Sequence, residues 1–60
     1  MSNRLTEIQT DIFADRTGNV VVRRRPSGWI LELDDALVMR SKFKDKILSE
    51  GELMAKRLFG

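Results

Sequence analysis

The stretch VVVRRRPSGWILEL, residues 20–33, decides the fold of this chain. Its three consecutive valines are β-branched and favour extended backbone. The alternation of apolar and polar residues that starts at Trp29 is typical of a strand with one buried face. Between these two runs, Pro26 presets φ for the first central position of a β-turn and Gly28 closes that turn. The stretch therefore predicts a β-hairpin with its tip at Pro26-Ser27.

The two-residue turn also predicts which residues of the hairpin lie opposite each other. Counted outward from the tip, the predicted pairs are Arg25 with Gly28, Arg24 with Trp29, Arg23 with Ile30, Val22 with Leu31, Val21 with Glu32 and Val20 with Leu33. This register gathers the apolar side chains on one face, with Trp29 as a core anchor on which Arg24 can stack. Because the turn and the hydrophobic pattern indicate the same register, we expect it to be well specified.

A loop and a further extended segment precede the hairpin. Residues 15–19 combine Asp, Gly and Asn, which cap turns or tolerate positive φ, and they are predicted to form a loop. Residues 6–14 alternate with a period of two, which predicts a third strand. A short helix over residues 4–9 is the open alternative.

After the hairpin the hydrophobic period lengthens to three or four residues. Asp34-Asp35 is typical of a helix N-cap. The apolar residues that continue this helix at steps of three and four are Ala36, Met39, Phe43 and Ile47. Ser49 and Glu52 match a capping box, which predicts that a second helix begins there. Because Gly51 weakens a continuous helix by only about 1 kcal/mol, one bent helix over residues 35–59 is the alternative.

These patterns predict one small α+β domain over residues 1–60. A small antiparallel β-sheet of two to three strands takes up residues 5–33, and one bent or two short C-terminal helices take up residues 35–59. A 60-residue chain buries only about 60% of its unfolded surface, so it usually needs a further stabilising element. Since cysteine is absent, that element is expected to be a partner chain, in the simplest case in a homodimer.

The composition argues against catalysis and against metal binding. Histidine and cysteine are both absent, which removes the commonest general base, the thiolate nucleophile and the usual zinc ligands. The carboxylates of Glu32, Asp34 and Asp35 are expected to cap a helix and to pair across strands rather than to hold Mg²⁺. We therefore expect no enzyme activity, no metal and no cofactor. The apolar runs are too short for a signal peptide or a membrane span, so a cytoplasmic location is expected.

Grouped basic residues indicate nucleic-acid binding. The chain carries 11 Lys and Arg against 9 Asp and Glu, and the basic residues fall in two blocks. Guanidinium groups match phosphate oxygens bidentately, and a β-ribbon can lie in a groove of the duplex. The candidate phosphate-binding residues are Arg23, Arg24, Arg25, Arg40, Lys42, Lys44 and Lys46. The alternative is a solvated surface, with the arginines paired to carboxylates such as Glu32 across the sheet.

The apolar stripe of the predicted helices indicates a second type of partner. It is longer than a small sheet can cover, so part of it is expected to meet another chain. The candidate interface residues are Met39, Phe43, Ile47, Met54, Leu58 and Phe59. A helix folded tightly back on itself is the alternative.

The order of the predicted elements after residue 28 resembles that of the ribbon-helix-helix regulators of phages, plasmids and antitoxins. The matching segments are the strand Trp29-Ile-Leu-Glu-Leu33, the cap Asp34-Asp35, a helix over residues 36–48, a break over residues 49–51 and a helix over residues 52–59. The resemblance implies a dimer that reads DNA with a paired strand. In that family alternate strand residues face DNA, here either Ile30 and Glu32 or the apolar set Trp29, Leu31 and Leu33. Residues 1–28, with their arginines, lie outside the resemblance.

These observations favour a small nucleic-acid-binding protein that holds phosphates with a basic β-ribbon. We expect a dimeric regulator of transcription of bacterial, phage or plasmid origin, with DNA preferred to RNA. The alternative is a protein-interaction module, such as a small inhibitor, antitoxin or adaptor. Such a module would dock its C-terminal amphipathic helix on a partner with an acidic surface.

Overall fold

The computed structural model describes residues 4–59 of the chain. Within that range, five β-strands are followed by one α-helix, and the strands pair in the order β1-β2-β3-β4-β5 with every neighbouring pair antiparallel. The elements are β1 (Thr6–Gln9), β2 (Ile12–Ala14), β3 (Val20–Arg25), β4 (Gly28–Leu33), β5 (Ala36–Ser41) and α1 (Lys44–Phe59). The prediction of two to three strands and of a bent or double helix is therefore wrong.

The central hairpin of β3 and β4 has the predicted register. All six pairs, from Arg25 opposite Gly28 to Val20 opposite Leu33, are found as expected from the turn. Gly28 has a φ of 140°, a backbone conformation that residues with a Cβ rarely adopt. A Cβ at this position would also lie 2.9 Å from the carbonyl oxygen of Ser41. Glycine is thus required both by the turn and by the close approach of the end of β5.

The segment predicted as one strand over residues 6–14 is two strands, β1 and β2. They are joined by a turn at Thr10-Asp11, and the alternative of a helix over residues 4–9 is wrong. Asp11 adopts a φ of 60°, which Asp tolerates better than most residues. Its carbonyl oxygen accepts a hydrogen bond of 3.1 Å from the backbone N–H of Arg24. This bond ties the turn to β3.

Asp34-Asp35 closes a second tight hairpin instead of starting a helix. Both residues have positive φ, 51° and 67°, and Leu33 lies opposite Ala36. Two central residues with positive φ define a type I′ turn, whose twist matches that of paired strands. The helix N-cap prediction is therefore wrong. Asp is favoured at N-caps but also tolerates the left-handed conformation that this turn needs, so the sequence pattern did not distinguish the two.

β5 lies where the sequence pattern predicted the start of a helix. Its pairing with β4 contains a bulge, since Leu31 lies opposite Met39 whereas Glu32 lies opposite Leu37. The extra residue, Val38, disturbs the period of two by which a strand is normally recognised. The spacing from Ala36 to Met39 then imitates one helical turn.

α1 is a single continuous helix that begins at Lys44. Ser49 and Glu52 lie inside it, so the prediction that a capping box begins a second helix is wrong. Gly51, in the middle of the helix, is buried. A Cβ on this residue would approach Leu5, Val22 and Leu31 to between 2.7 and 3.3 Å. Glycine therefore lets the helix pack closely on the sheet, which offsets its low helix propensity.

One apolar layer lies between α1 and the face of the sheet that it covers. Its fully buried members are Val20, Val22, Leu31, Ile47 and Ala55. The half-buried residues packed around them are Leu5, Phe13, Trp29, Leu33, Met39, Leu48, Met54 and Phe59. Among residues 4–59, nothing packs over the opposite face of the sheet, which we call the open face. No helix in the described part of the chain is long and apolar enough to cross a membrane.

Candidate nucleic-acid interface

The three consecutive arginines of β3 point to different sides of the sheet. Strand residues alternate between faces, so Arg23 and Arg25 lie on the open face and Arg24 on the face that carries α1. Cross-strand pairing places Arg40 of β5 in the same row as Arg23, with Ile30 between them. The arginine run is therefore not a single basic surface.

Arg23 is bound within the sheet. Its Nε atom lies 2.8 Å from Oε1 of Glu32, and both atoms are shielded from solvent. A partly buried pair of this kind is costly to break, because either charge would be left without its partner. Because its guanidinium group is paired with Glu32, Arg23 is less available to bind a phosphate than an unpaired arginine.

Arg24 makes a weaker contact. One of its terminal nitrogens lies 3.5 Å from Oδ2 of Asp11, and the side chain of Arg24 is 65% exposed whereas that of Asp11 is 38% exposed. Arg24 lies opposite Trp29 as predicted, but a cation from α1 also lies over that ring. The Nζ atom of Lys44 is 5.8 Å from the centre of Trp29 and 5.1 Å from that of Phe13. The two rings, 6.2 Å apart, form an aromatic pair at the start of the helix that the sequence pattern did not indicate.

Arg25 and Arg40 are exposed and make no ion pair within residues 4–59. They border a shallow depression of about 550 Å³ on the open face. Its other lining residues are Pro26, Ser27, Ile30, Glu32 and Leu37. A second depression of about 450 Å³ shares Arg25 and extends towards Thr10 and Asp11. Two free guanidinium groups can hold a phosphate while Ile30 and Leu37 contact a sugar or base. The carboxylate of Glu32, which also lines the depression, is paired with Arg23.

The predicted lysines lie where β5 passes into α1. Lys42, Lys44 and Lys46 are exposed, and the connection is held by a 3.1 Å hydrogen bond from the N–H of Phe43 to Oγ of Ser41. The N-terminal end of a helix carries partial positive charge, which adds to that of the lysines. The acidic residue of this first turn, Asp45, opposes it.

The antiparallel order of the strands separates basic from acidic residues along the sheet. The tip of the β3–β4 hairpin, the end of β5 and the start of α1 meet at one end of the sheet, here called the basic end. Its basic side chains are Arg24, Arg25, Arg40, Lys42, Lys44 and Lys46. The loop of residues 15–19 and the Asp34-Asp35 turn lie at the opposite end. The separation of charge is partial, since Asp11 and Asp45 also lie at the basic end and Arg16 lies in the opposite loop.

Asp15 is a buried carboxylate that organises the loop at the end of the sheet opposite the basic end. Its side chain accepts hydrogen bonds from Oγ1 of Thr17 at 2.7 Å and from the N–H of Val20 at 3.1 Å. Burial by itself raises the pKa of Asp15, but the bonds from Thr17 and from the backbone N–H groups of residues 17, 18 and 20 outweigh it, so the pKa is lowered. The acceptor atoms are used within the loop, which indicates a structural role.

The remaining acidic residues do not form a metal site. Glu32 is paired with Arg23, while Asp34 and Asp35 form the β4–β5 turn. Within residues 4–59, no group of three or more His, Cys, Asp or Glu side chains is arranged to hold a metal ion.

The predicted partner interface is distributed between core and surface. Ile47 is fully buried, and Met39, Met54 and Phe59 are half-buried against the core. Phe43 and Leu58 are exposed. Four of the six side chains thus pack in or against the core between α1 and the sheet, and two remain free to contact another molecule.

The strand–helix–helix order on which the ribbon-helix-helix resemblance rested is not found. Residues 36–41 form strand β5, and the helical segment that follows is continuous in the described chain. Ile30 and Glu32 lie on the open face of an interior strand rather than on a paired dimer strand.

No protein-family model, no curated protein and no solved structure matches this chain.

Proposed function

We propose that this protein binds nucleic acid and holds the phosphate backbone with the basic end of its sheet. The observation that carries the proposal is the position of Arg25, Arg40 and Lys42, which are exposed, lie at one end of the sheet and lack ion-pair partners among residues 4–59. Surface charges that serve only solubility are usually interspersed with charges of the opposite sign. Here Asp34 and Asp35 lie at the far end, and among the described residues the basic end holds six basic side chains against Asp11 and Asp45.

The two free arginines are the proposed primary contacts. A guanidinium group donates two parallel hydrogen bonds to a phosphate, whereas Lys42 acts as a point charge. Ile30 and Leu37, in the depression between the arginines, offer apolar surface for a sugar or base. Arg23 and Arg24 have a supporting role, because each already has a carboxylate partner.

The proposed ligand is DNA in preference to RNA, since strands of small regulators are known to lie in the grooves of the duplex. A regulator of transcription of bacterial, phage or plasmid origin is the class of protein that we propose. Such a protein would act in the cytoplasm, where its DNA lies.

The test is fluorescence anisotropy of labelled random duplex DNA and of single-stranded RNA at several salt concentrations. Release of counterions from about three phosphates predicts that log K falls with log salt with a slope of about −3. The double variant Arg25→Ala/Arg40→Ala is expected to reduce that slope by about two, because each arginine accounts for one phosphate contact.

The matched control is Lys56→Ala/Arg57→Ala. It removes the same charge from the exposed last turn of α1, and it is expected to leave the slope nearly unchanged. Equal losses in both double variants would mean that net charge alone drives binding and would contradict the proposed site. Absence of binding at the lowest salt would exclude nucleic acid as the partner.

A protein-interaction module is the second candidate, favoured by the outer side of α1. Leu53 and Leu58 are about half exposed and border a depression of about 280 Å³ that Glu50, Met54 and Arg57 complete. An isolated chain with this function should self-associate through that surface or melt without cooperativity. A monomer with a sharp melting transition and salt-dependent DNA binding would argue against it.

A further inference from the structure

We propose that β5 is a docking edge for a second copy of this chain, with the two β5 strands paired antiparallel in one continuous sheet. β5 is the last strand in the sheet order, so within residues 4–59 its outer edge has no strand beside it. An uncovered strand edge presents a row of unpaired N–H and C=O groups that another strand can satisfy. The docking edge shares Arg40 and Lys42 with the proposed phosphate contacts, but its tests use the chain without nucleic acid.

The side chains of β5 lack most of the features that protect natural edges. The strand is six residues long and contains no proline. Leu37 and Val38 are 50% and 47% exposed, and Arg40 is the single charged residue of the strand. The bulge at Val38 bends the strand but places no charge there. Such an apolar edge is a site at which chains associate.

The other edge strand offers a comparison within the same molecule. β1 has four residues, all exposed, and three of them are polar or charged. Its pairing with β2 is also irregular between Glu7 and Gln9. Short, polar and irregular edges discourage pairing, so β1 is the poorer docking edge although Ile8 is 61% exposed.

The charges that flank β5 fit a second copy in the antiparallel direction. The acidic turn Asp34-Asp35 precedes the strand, and Arg40 and Lys42 lie at and just beyond its other end. A two-fold axis near Val38 and Met39 brings the acidic turn of each copy alongside the basic end of the other strand. Parallel pairing would instead bring like charges together, which is unfavourable.

Pairing through β5 joins the open faces of the two copies into one surface. Each half of that surface carries a depression bordered by Arg25 and Arg40.

The first test is sedimentation equilibrium of the chain without nucleic acid, from low micromolar to millimolar concentration. We expect a monomer–dimer equilibrium, and a Val38→Lys variant whose dimer dissociation constant is raised at least about tenfold. The matched control, Ile8→Lys, adds the same charge to β1 and is expected to dimerise normally. A wild-type chain that stays monomeric, or a Val38→Lys dimer as strong as the wild type, would overturn the proposal.

A second test locates the contact directly. The chain has no cysteine, so a single introduced cysteine is the only thiol. Val38→Cys is expected to form a disulfide-linked dimer under mild oxidation, because facing positions on paired strands are about 5 Å apart. Ile8→Cys should link far more slowly. Equal rates would show that collision rather than pairing of β5 joins the chains, and would contradict the inference.

Lys42→Glu tests the direction of pairing. It places a carboxylate beside the acidic turn of the antiparallel partner, so we expect a several-fold weaker dimer at low salt and a smaller difference at high salt. An unchanged dimer would exclude the antiparallel arrangement.

Discussion

The two hairpins that share β4 are closed by turns of equal length, but only one of the two turn sequences predicts its hairpin unambiguously. The β3–β4 turn contains Pro26 and Gly28, which have few uses other than turns. The β4–β5 turn is Asp34-Asp35, and Asp is favoured at helix N-caps but also tolerates turn positions with positive φ. A local sequence pattern therefore predicts a single structure only where its residues favour a single conformation.

A proline at position 35 gives the sharpest test of that comparison. In the helix predicted from the sequence, residue 35 would be the first helical position, where proline is well tolerated. In the hairpin its φ is 67°, which the pyrrolidine ring cannot adopt. Asp35→Pro is therefore expected to destabilise the fold by at least about 3 kcal/mol, measured by urea unfolding.

The control for this variant is Asp35→Gly, which adopts positive φ without steric cost. It is expected to be neutral or to stabilise by up to about 1 kcal/mol. Wild-type stability in the proline variant would mean that Asp34-Asp35 starts a helix after all.

The β3–β4 turn should be nearly as sensitive at Gly28. A Cβ there would be strained by the backbone conformation and would also meet the carbonyl of Ser41, so Gly28→Ala is expected to cost about 2 kcal/mol. Gly18 also has a positive φ, 79°, but a Cβ on it would meet nothing within 4 Å. Gly18→Ala should therefore cost only about 1 kcal/mol. Similar losses in thermal melts of the two variants would show that the contact with β5 contributes nothing.

The loop around Asp15 is bonded directly to the first hairpin and indirectly to the second, since the Asp15 carboxylate accepts a hydrogen bond from the N–H of Val20 in β3. The carbonyl of Asn19 accepts a 2.9 Å hydrogen bond from the N–H of Asp34, and Asp15 holds the loop that positions Asn19. Replacing its carboxylate in Asp15→Asn is expected to cost about 1–2 kcal/mol at neutral pH. Hydrogen exchange should show faster opening at Val20, which Asp15 binds directly, than in β5, which the loop reaches only through Asn19 and the β4–β5 turn.

This loss should depend on pH. The pKa of Asp15 is lowered in the folded state from an ordinary value of 3.8, so the folded state favours the charged form. The stabilisation is complete well above that value and is lost as the pH falls through it towards the folded pKa. The difference in unfolding free energy between the wild type and Asp15→Asn should therefore shrink on acidification. A constant difference from neutral to acidic pH would contradict the role of the carboxylate.

The candidate site was predictable in composition but not in arrangement. The sequence identified the basic residues, and the period of two along β3 implies that Arg24 and Arg25 face opposite sides. The alternative interpretation named Glu32 as a partner of the arginines, and Arg23 pairs with it. The sequence did not identify Asp11 as the partner of Arg24, because Asp11 is 13 residues away and reaches Arg24 only through the fold. The grouping of Arg25 with Arg40 likewise depends on β5 being a strand.

The sequence by itself determined the β3–β4 hairpin, its register and the loop before it, because those interactions are local and use residues of restricted conformation. Only the tertiary structure decided the conformation of residues 34–43 and the continuity of α1. The segment from Ala36 to Ser41 carries both a helical spacing and strand-forming residues, and its conformation follows from pairing with β4. Ser49 to Glu52 could begin a helix, but Gly51 packs against Val22 and Leu31 only if the helix runs through. Where local preferences are balanced, the burial of a shared core decides between them.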